Sequence, residues 1–288
     1  MENGILSNGM APEYDKPGRF GTIGREEIKK AEKTLHEYAE CKKNLEERII
    51  ENEQWWKLRH WEQLRSKSNN KQDPEPVSAW LFNSIINKHA DFMDNYPEAN
   101  VLPREESDKE TAKILSDIVP YVLEQNGYEQ TYSDETWYKL KAGTGVYGVF
   151  WNQSKEGGIG DIDIKRCDLL KLFWESGITD IQDSRNVFSM ELVDNDILES
   201  QYPFLTGKMS SGSALTEIAK YIYDDKVSTD GKTVVVDWYY KKTIQDSENE
   251  YGLPVTKTVL HYCKFCNGEV LYASENDPAM EQGWYEHG

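Results

Sequence analysis

Between residues 25 and 67 the apolar positions recur at steps of three and four. Ile28, Ala31, Leu35, Tyr38, Leu45, Ile49 and Trp56 form one stripe, while Glu and Lys fill the remaining positions at spacings that allow i,i+4 pairs. No Gly or Pro interrupts the run, so the pattern predicts one helix of about 40 residues, on the order of 60 Å long. Such a helix bends, breaks near Asn52, packs on its own domain or runs along a neighbouring subunit. Residues 69–76 (NNKQDPEP) read as a loop. A helix over 77–95 follows and stops before Pro97. Ser107-Asp108-Lys109-Glu110 has the form of a capping box opening the next helix, which Asn126-Gly127 closes. Pro120 predicts a kink or break inside it. A further helix over 128–142 delivers the chain to residue 143.

There the period changes to two. Val146, Val149, Phe150 and Trp151 make a β-branched and aromatic run, and Ile162 and Ile164 alternate with Asp161, Asp163 and Lys165. Glycines at 157, 158 and 160 suit the positive φ angles of a connecting turn. The stretch 143–193 therefore reads as one sheet on which both halves of the chain are organised. Beyond it, Asp194-Asn195-Asp196 caps a short helix over 197–202 that Pro203 stops, and LTGKMSSGS (205–213) reads as a link. A helix over 214–223, a strand over 233–240 and a hairpin pairing 255–265 with 269–273 around Asn267-Gly268 complete the pattern. Residues 1–24 are rich in Gly, Pro and Asn, have no period, and read as a flexible arm. The fold class is α+β: a long N-terminal helix and helical bundle packed on a mixed or antiparallel sheet, followed by a smaller α/β region.

Composition narrows the function classes. Hydrophobic residues make up only 38% of 288, but nine Trp and seventeen Tyr supply buryable area. The formal net charge of −18 argues against a general nucleic-acid-gripping surface, which needs clustered Lys and Arg. Acidity is concentrated late: residues 175–288 hold 20 Asp and Glu against 9 Lys and Arg. An acidic surface that meets DNA repels it, which suits a passage better than a binding site. Four cysteines make no disulfide framework and point to a reducing compartment. The first 24 residues lack an apolar signal-peptide core, and no apolar run approaches the roughly 20 residues that span a bilayer.

Several motifs offer chemistry. Gly143-Thr-Gly145-Val-Tyr-Gly148 satisfies G-x-G-x-x-G, which would make the chain a nucleotide-binding enzyme if it followed a strand and opened a helix. Here it follows a helix and opens a strand, so close packing at a corner is the favoured reading. Cys263-Lys-Phe-Cys266 has the spacing of a zinc half-site, but no second pair accompanies it and both cysteines read as strand positions. Asp161, Asp163, Asp168, Asp180 and Asp183 could suggest metal-dependent phosphotransfer; alternation instead puts Asp161 and Asp163 on a solvated strand face. Trp55, Trp56, Arg59, His60, Trp61 and Arg65 form an aromatic and basic cluster able to stack on single-stranded nucleic acid. Burial of its Trp face is the preferred reading. No catalytic, cofactor-binding or metal-ligating constellation stands out, and no cofactor is expected.

Four stretches taken in order resemble the N-terminal part of bacteriophage portal proteins of the short-tailed-phage type. They are WWKLRHWEQLR (55–65), SIINKHADFMDNYPEANVLPRE (84–105), KAGTGVYGVFWN (141–152) and IDIKRCDLLKLFWESGITDIQDSRNVFSMELVDNDILESQYP (162–203). The resemblance implies a structural, non-enzymatic subunit of a homo-oligomeric ring, a dodecamer at one capsid vertex, through which double-stranded DNA passes without sequence-specific binding. It implies terminase, capsid and scaffolding proteins, and tail or head-completion proteins as partners, no membrane, and a location in the virion after assembly in the host cytoplasm. It implies three parts: a flexible arm over 1–24, a helical and β wing-like domain over 25–193, and a stem- and clip-like region over 194–288. Family members are longer, so the resemblance also implies further stem and crown segments after Gly288.

Overall fold

The computed structural model describes residues 23–64, 74, 76–152, 155–209, 221–222, 225–226, 230–248 and 254–276. Residues 1–22 of the expected arm, most of the 69–76 loop, the later part of the 205–213 link and the C-terminal residues lie outside them, while Ile23, at the end of that arm, is described and buried. In chain order the elements are α1 (Arg25–Trp56), α2 (His60–Leu64), α3 (Trp80–Asp94), α4 (Lys109–Gln125), α5 (Tyr128–Ala142), β1 (Val146–Asn152), β2 (Asp161–Cys167), β3 (Leu172–Trp174), β4 (Asn186–Asp194), α6 (Asn195–Gln201), β5 (Tyr221–Ile222), β6 (Asp225–Lys226), β7 (Lys232–Glu248), β8 (Pro254–Cys266) and β9 (Glu269–Ala273). The chain is mixed α and β, and its described strand pairs are antiparallel. It divides into two compact units: 1–44 with 170–288, and 45–169. The sequence-derived division at 193/194 falls on the last two residues of β4.

The first unit is built on a five-stranded sheet in the order β3-β4-β7-β8-β9. Period-two alternation along β7 sends Val234, Val236 and Trp238 to one face and Val235 to the other. On the first face the early turns of α1 bury Ile28, Ala31 and Leu35 against Phe173, Phe188, Met190 and Phe265. On the second, Leu198 of α6 and Leu205 of a following 3-10 turn bury with Val235, Cys266 and Leu271. A sheet covered on both sides explains why Thr233–Val236 reads as a nearly continuous apolar run. The Asn276 side chain donates to the Ile23 carbonyl at 2.9 Å and accepts from its N–H at 2.8 Å, tying the two ends of the unit together. Asn267 and Gly268 have φ of 53° and 78°, the pair of left-handed residues that the β8–β9 turn demands. Of the helix expected over 214–223, most lies outside the described residues, and Tyr221–Ile222 is strand β5, paired with β6.

The second unit centres on α5, which packs against α3, α4 and the β1–β2 hairpin. The end of α1 supplies Trp56, stacked on Phe82 at 4.6 Å and edge-on to Trp137 at 4.7 Å. Gly127 and Gly143 flank α5 with φ of 58° and 83°.

Four expectations change. The long helix ends at Trp56 rather than continuing to residue 67. Leu58 adopts φ 61°, its N–H bonds to the Trp55 carbonyl at 3.2 Å, and the Arg59 N–H bonds to Gln54 at 2.9 Å. That is a Schellman C-cap with leucine where glycine is usual. The capping box lies earlier than expected: the Asp108 carboxylate accepts from the Glu105 N–H at 3.3 Å. Helix α4 runs through Pro120 without a break, although the proline has no N–H to donate to the Ser116 carbonyl. The stretch 143–193 is not one sheet. β1 and β2 form their own hairpin in the second unit, while β3 and β4 join the five-stranded sheet of the first.

Candidate functional site

The glycine corner is where the chain turns from α5 into β1. Gly143 caps the helix with its N–H on the Lys139 carbonyl at 2.9 Å. A Cβ on Gly145 would stand 2.6 Å from both the carbonyl oxygen and a carboxylate oxygen of Glu135. One on Gly148 would stand 2.4 Å from the Phe150 ring and 3.3 Å from Cys167 Sγ. The space a bound phosphate would use is thus taken by a carboxylate and a phenyl ring, and the carboxylate has the wrong charge for it. The packing reading holds. Replacing Gly145 by alanine should destabilise the unit by about 1–3 kcal/mol, because the Glu135 carbonyl oxygen is backbone and cannot swing away; denaturant unfolding measures it, and an unchanged midpoint would refute the tight approach.

The acidic residues of the hairpin are structural clamps. Asp163 lies on the strand face that carries the exposed Lys165, opposite the buried Ile164, but its own side chain is only 14% exposed, with Lys165 Nζ at 2.6 Å and Lys155 Nζ at 3.2 Å. The hydrogen bond from Lys165 holds its pKa below the usual aspartate value. Lys155 also donates to Asn126 Oδ1 and to the Ile162 carbonyl, each at 2.8 Å, closing the turn that Gly157, Gly158 and Gly160 enter with φ of 66°, 100° and 91°. Asp180 accepts from the Gln182 N–H at 2.8 Å and caps a short 3-10 turn. Asp161, Asp163 and Asp168 belong to one compact unit and Asp180 and Asp183 to the other.

The cysteine pair separates across the sheet. An odd spacing along a strand points side chains to opposite faces, and Cys263 lies in the cluster under α1 whereas Cys266 lies in the one under α6. Burial pushes the Cys263 thiol up to about 12 and the Cys266 thiol up to about 11. Both are strand-core residues.

In the aromatic and basic cluster, Trp56 is engaged by Phe82 and Trp137, Trp55 lies over the His60 ring at 4.7 Å, and Trp61 Nε1 donates to the Pro76 carbonyl at 3.0 Å. Arg59 is exposed and Arg65 lies outside the described residues. The indoles serve the fold of the second unit.

Two apolar faces escaped the sequence reading. Ile114, Ile118 and Tyr121 on α4 are 51%, 47% and 61% exposed, and Tyr147, Val149 and Trp151 on β1 are 49%, 62% and 53% exposed. The α4 stripe was visible as a second i, i+4, i+7 series opposite Ala112, Ser116 and Val119.

The model of the Phage P22-like portal protein family matches residues 82–287, more than two thirds of the chain. The chain belongs to the P22-like phage portal family. The matched span opens inside α3 and takes in α4, α5, the glycine corner, the hairpin and the whole five-stranded sheet. Three of the four stretches that suggested a portal fall inside it, and 55–65 precedes it. A comparison with curated proteins finds no match. Membership carries a structural role in a phage portal, in a family that is non-enzymatic in general, set in an oligomeric ring at the capsid vertex. Among the described residues no helix is long and apolar enough to cross a membrane.

Proposed function

We propose that this portal chain is one subunit of a dodecameric ring that forms the channel for DNA entry during packaging and exit at ejection. The terminase docks on the ring while the genome enters, and tail or head-completion proteins attach afterwards; capsid and scaffolding proteins hold it during assembly in the host cytoplasm. The observation that carries this reading is the family match over 82–287. The net charge of −18 supports it, because a negative wall lets duplex DNA slide without being held. In this reading residues 25–193 are wing-like and 194–288 lie on the stem and clip side.

The test is made in particles. A label fused to the chain should appear at one vertex of each virion by electron microscopy, and particles assembled without the chain should be empty of genome. Label at every vertex, or filled particles lacking the chain, would overturn the proposal.

A further inference from the structure

After β9 the chain makes one 3-10 turn, Ser274–Asn276, whose three side chains each hold a different part of the first unit. Ser274 Oγ accepts from the Tyr262 N–H on β8 at 3.0 Å. The Glu275 side chain, 1% exposed, accepts from Tyr240 Oη at 2.5 Å and from Lys242 Nζ at 2.7 Å, both on β7. Asn276 engages both backbone groups of Ile23, and the Gly24 carbonyl that follows accepts from the Ile28 N–H at 3.1 Å to open α1. Three residues thus tie β7, β8 and the start of α1 together. The ties are side-chain bonds rather than a ladder, so they can open as a set without unpairing a strand.

Under this turn lies a histidine, the side chain whose charge changes near neutral pH. His261 is 1% exposed, and its ring stacks on that of Tyr240, its register partner, with centroids 5.5 Å apart. Ser274 Oγ stands 3.3 Å from His261 Nδ1. Because the Tyr262 N–H already donates to that oxygen, the hydroxyl hydrogen is assigned to the bond with Nδ1, which fits the neutral ring. Among the described residues the charged groups acting on the ring are Glu275 of the turn and Lys242 of β7. Tyr240 faces it from β7, and Cys263 lies two residues along its own strand. Both Glu275 oxygens are already engaged, so a proton on His261 makes a buried cation with a hydroxyl hydrogen and an ammonium for neighbours. Burial holds the His261 pKa below the usual histidine value; Glu275 opposes the effect and Lys242 adds to it.

We propose that the Ser274–Asn276 turn is a latch that acid opens: uptake of a proton by His261 drives the turn off β8 and releases the start of α1. Water then reaches the imidazolium, and Asn276 leaves Ile23 with the turn that carries it. A histidine whose pKa is lowered by folding binds its proton more readily in the opened form, so the closed latch is favoured above the ordinary histidine range. That stability is lost as the pH falls through about 6.5, the value of an unperturbed histidine, toward the lowered one. The sheet itself stays paired, and the device belongs to a single subunit, independent of ring formation.

Amide exchange on the full chain at about pH 7.5 and about pH 5 tests the latch, each rate being referred to the intrinsic exchange rate at the same pH. At about pH 5 an exposed histidine is protonated by about thirty to one, which caps the gain in opening. Protection at the Tyr262 and Ile28 amides should therefore fall together, by at least about threefold and at most about thirtyfold. The amides of Met190 and Val236, inside the sheet, should keep theirs. His261→Phe, which keeps a ring on Tyr240 but takes up no proton, should hold both latch amides equally protected at either pH. His261→Gln, smaller and also without a charge to gain, repeats the test should the phenylalanine variant fail to fold. Asn276→Ala should lower protection at Ile28 already at about pH 7.5 and leave the acid response of Tyr262 in place. Unchanged protection in the unaltered chain, an acid response that survives in both His261 variants, or a response at Tyr262 with none at Ile28 would each overturn the latch.

Discussion

Lys141→Met is expected to destabilise the 45–169 unit by about 3–5 kcal/mol, the cost of leaving one partner of a buried ion pair behind. Lys141 Nζ stands 2.9 Å from Glu53 Oε2, and the two side chains are 6% and 8% exposed. The rings of Trp56, Trp137 and Tyr138 surround the ammonium with centroids at 5.8, 5.8 and 4.8 Å. Asn52 donates to the Lys141 carbonyl at 3.0 Å, so the same point joins the last turns of α1 to the end of α5. Methionine nearly fills the lysine volume, so the loss comes from charge rather than from a cavity. Among the described residues the Glu53 carboxylate would keep the more distant Lys57, at 3.9 Å. Urea unfolding followed by Trp fluorescence measures the change, since Trp56 and Trp137 sit in the affected cluster. Against a usual total stability of about 5–15 kcal/mol the shift is large. Adding Glu53→Gln to Lys141→Met should recover most of it by removing the stranded charge, a coupling that a double-mutant cycle resolves. An unchanged midpoint in the single variant would show the pair to be solvated and the argument wrong.

The parts of the fold legible in the sequence are those written by local chemistry. Helix α5 was placed at 128–142 because a glycine at each end supplies the left-handed φ that a helix boundary uses. The last hairpin was placed by Asn267-Gly268 for the same reason. The end of α1 was illegible because Leu58 takes the left-handed position, and no composition rule anticipates leucine there. The splitting of 143–193 between two units was illegible for a different reason. Period-two alternation shows that a segment is a strand but does not name its partner, and β4 pairs with residues 232–240, which lie some way along the chain. The glycine corner reads as packing because its order, helix then strand, is the reverse of a nucleotide loop, and its close approaches are those at Gly145 and Gly148. The separation of Cys263 from Cys266 needed only the parity of their spacing once β8 was known to be a strand. Alternation placed Asp163 and Lys165 on one face of β2, but the second partner of Asp163, Lys155, comes from the turn, a contact that alternation does not encode.

Phe188→Ala is expected to cost the first unit about 3–5 kcal/mol, the range for truncating a fully buried aromatic ring. Phe188 has no exposed surface and stands mid-sheet, in register with Phe173 on β3 and Trp238 on β7. Its ring meets Tyr38 of α1 edge-on at 6.0 Å and lies parallel to Trp238 at 6.1 Å. Truncation therefore removes one of the contacts that α1 makes with the centre of the sheet, and strands on either side hold the cavity open. Phe188→Leu keeps most of the volume and should lose less than half as much, which separates cavity formation from loss of the ring itself. The thermal midpoint should fall by about 10 °C for the alanine variant, and amide exchange in β4 and β7 should accelerate with it. Equal effects from alanine and leucine would mean that ring stacking on Trp238, and not the filled space, is what the position supplies.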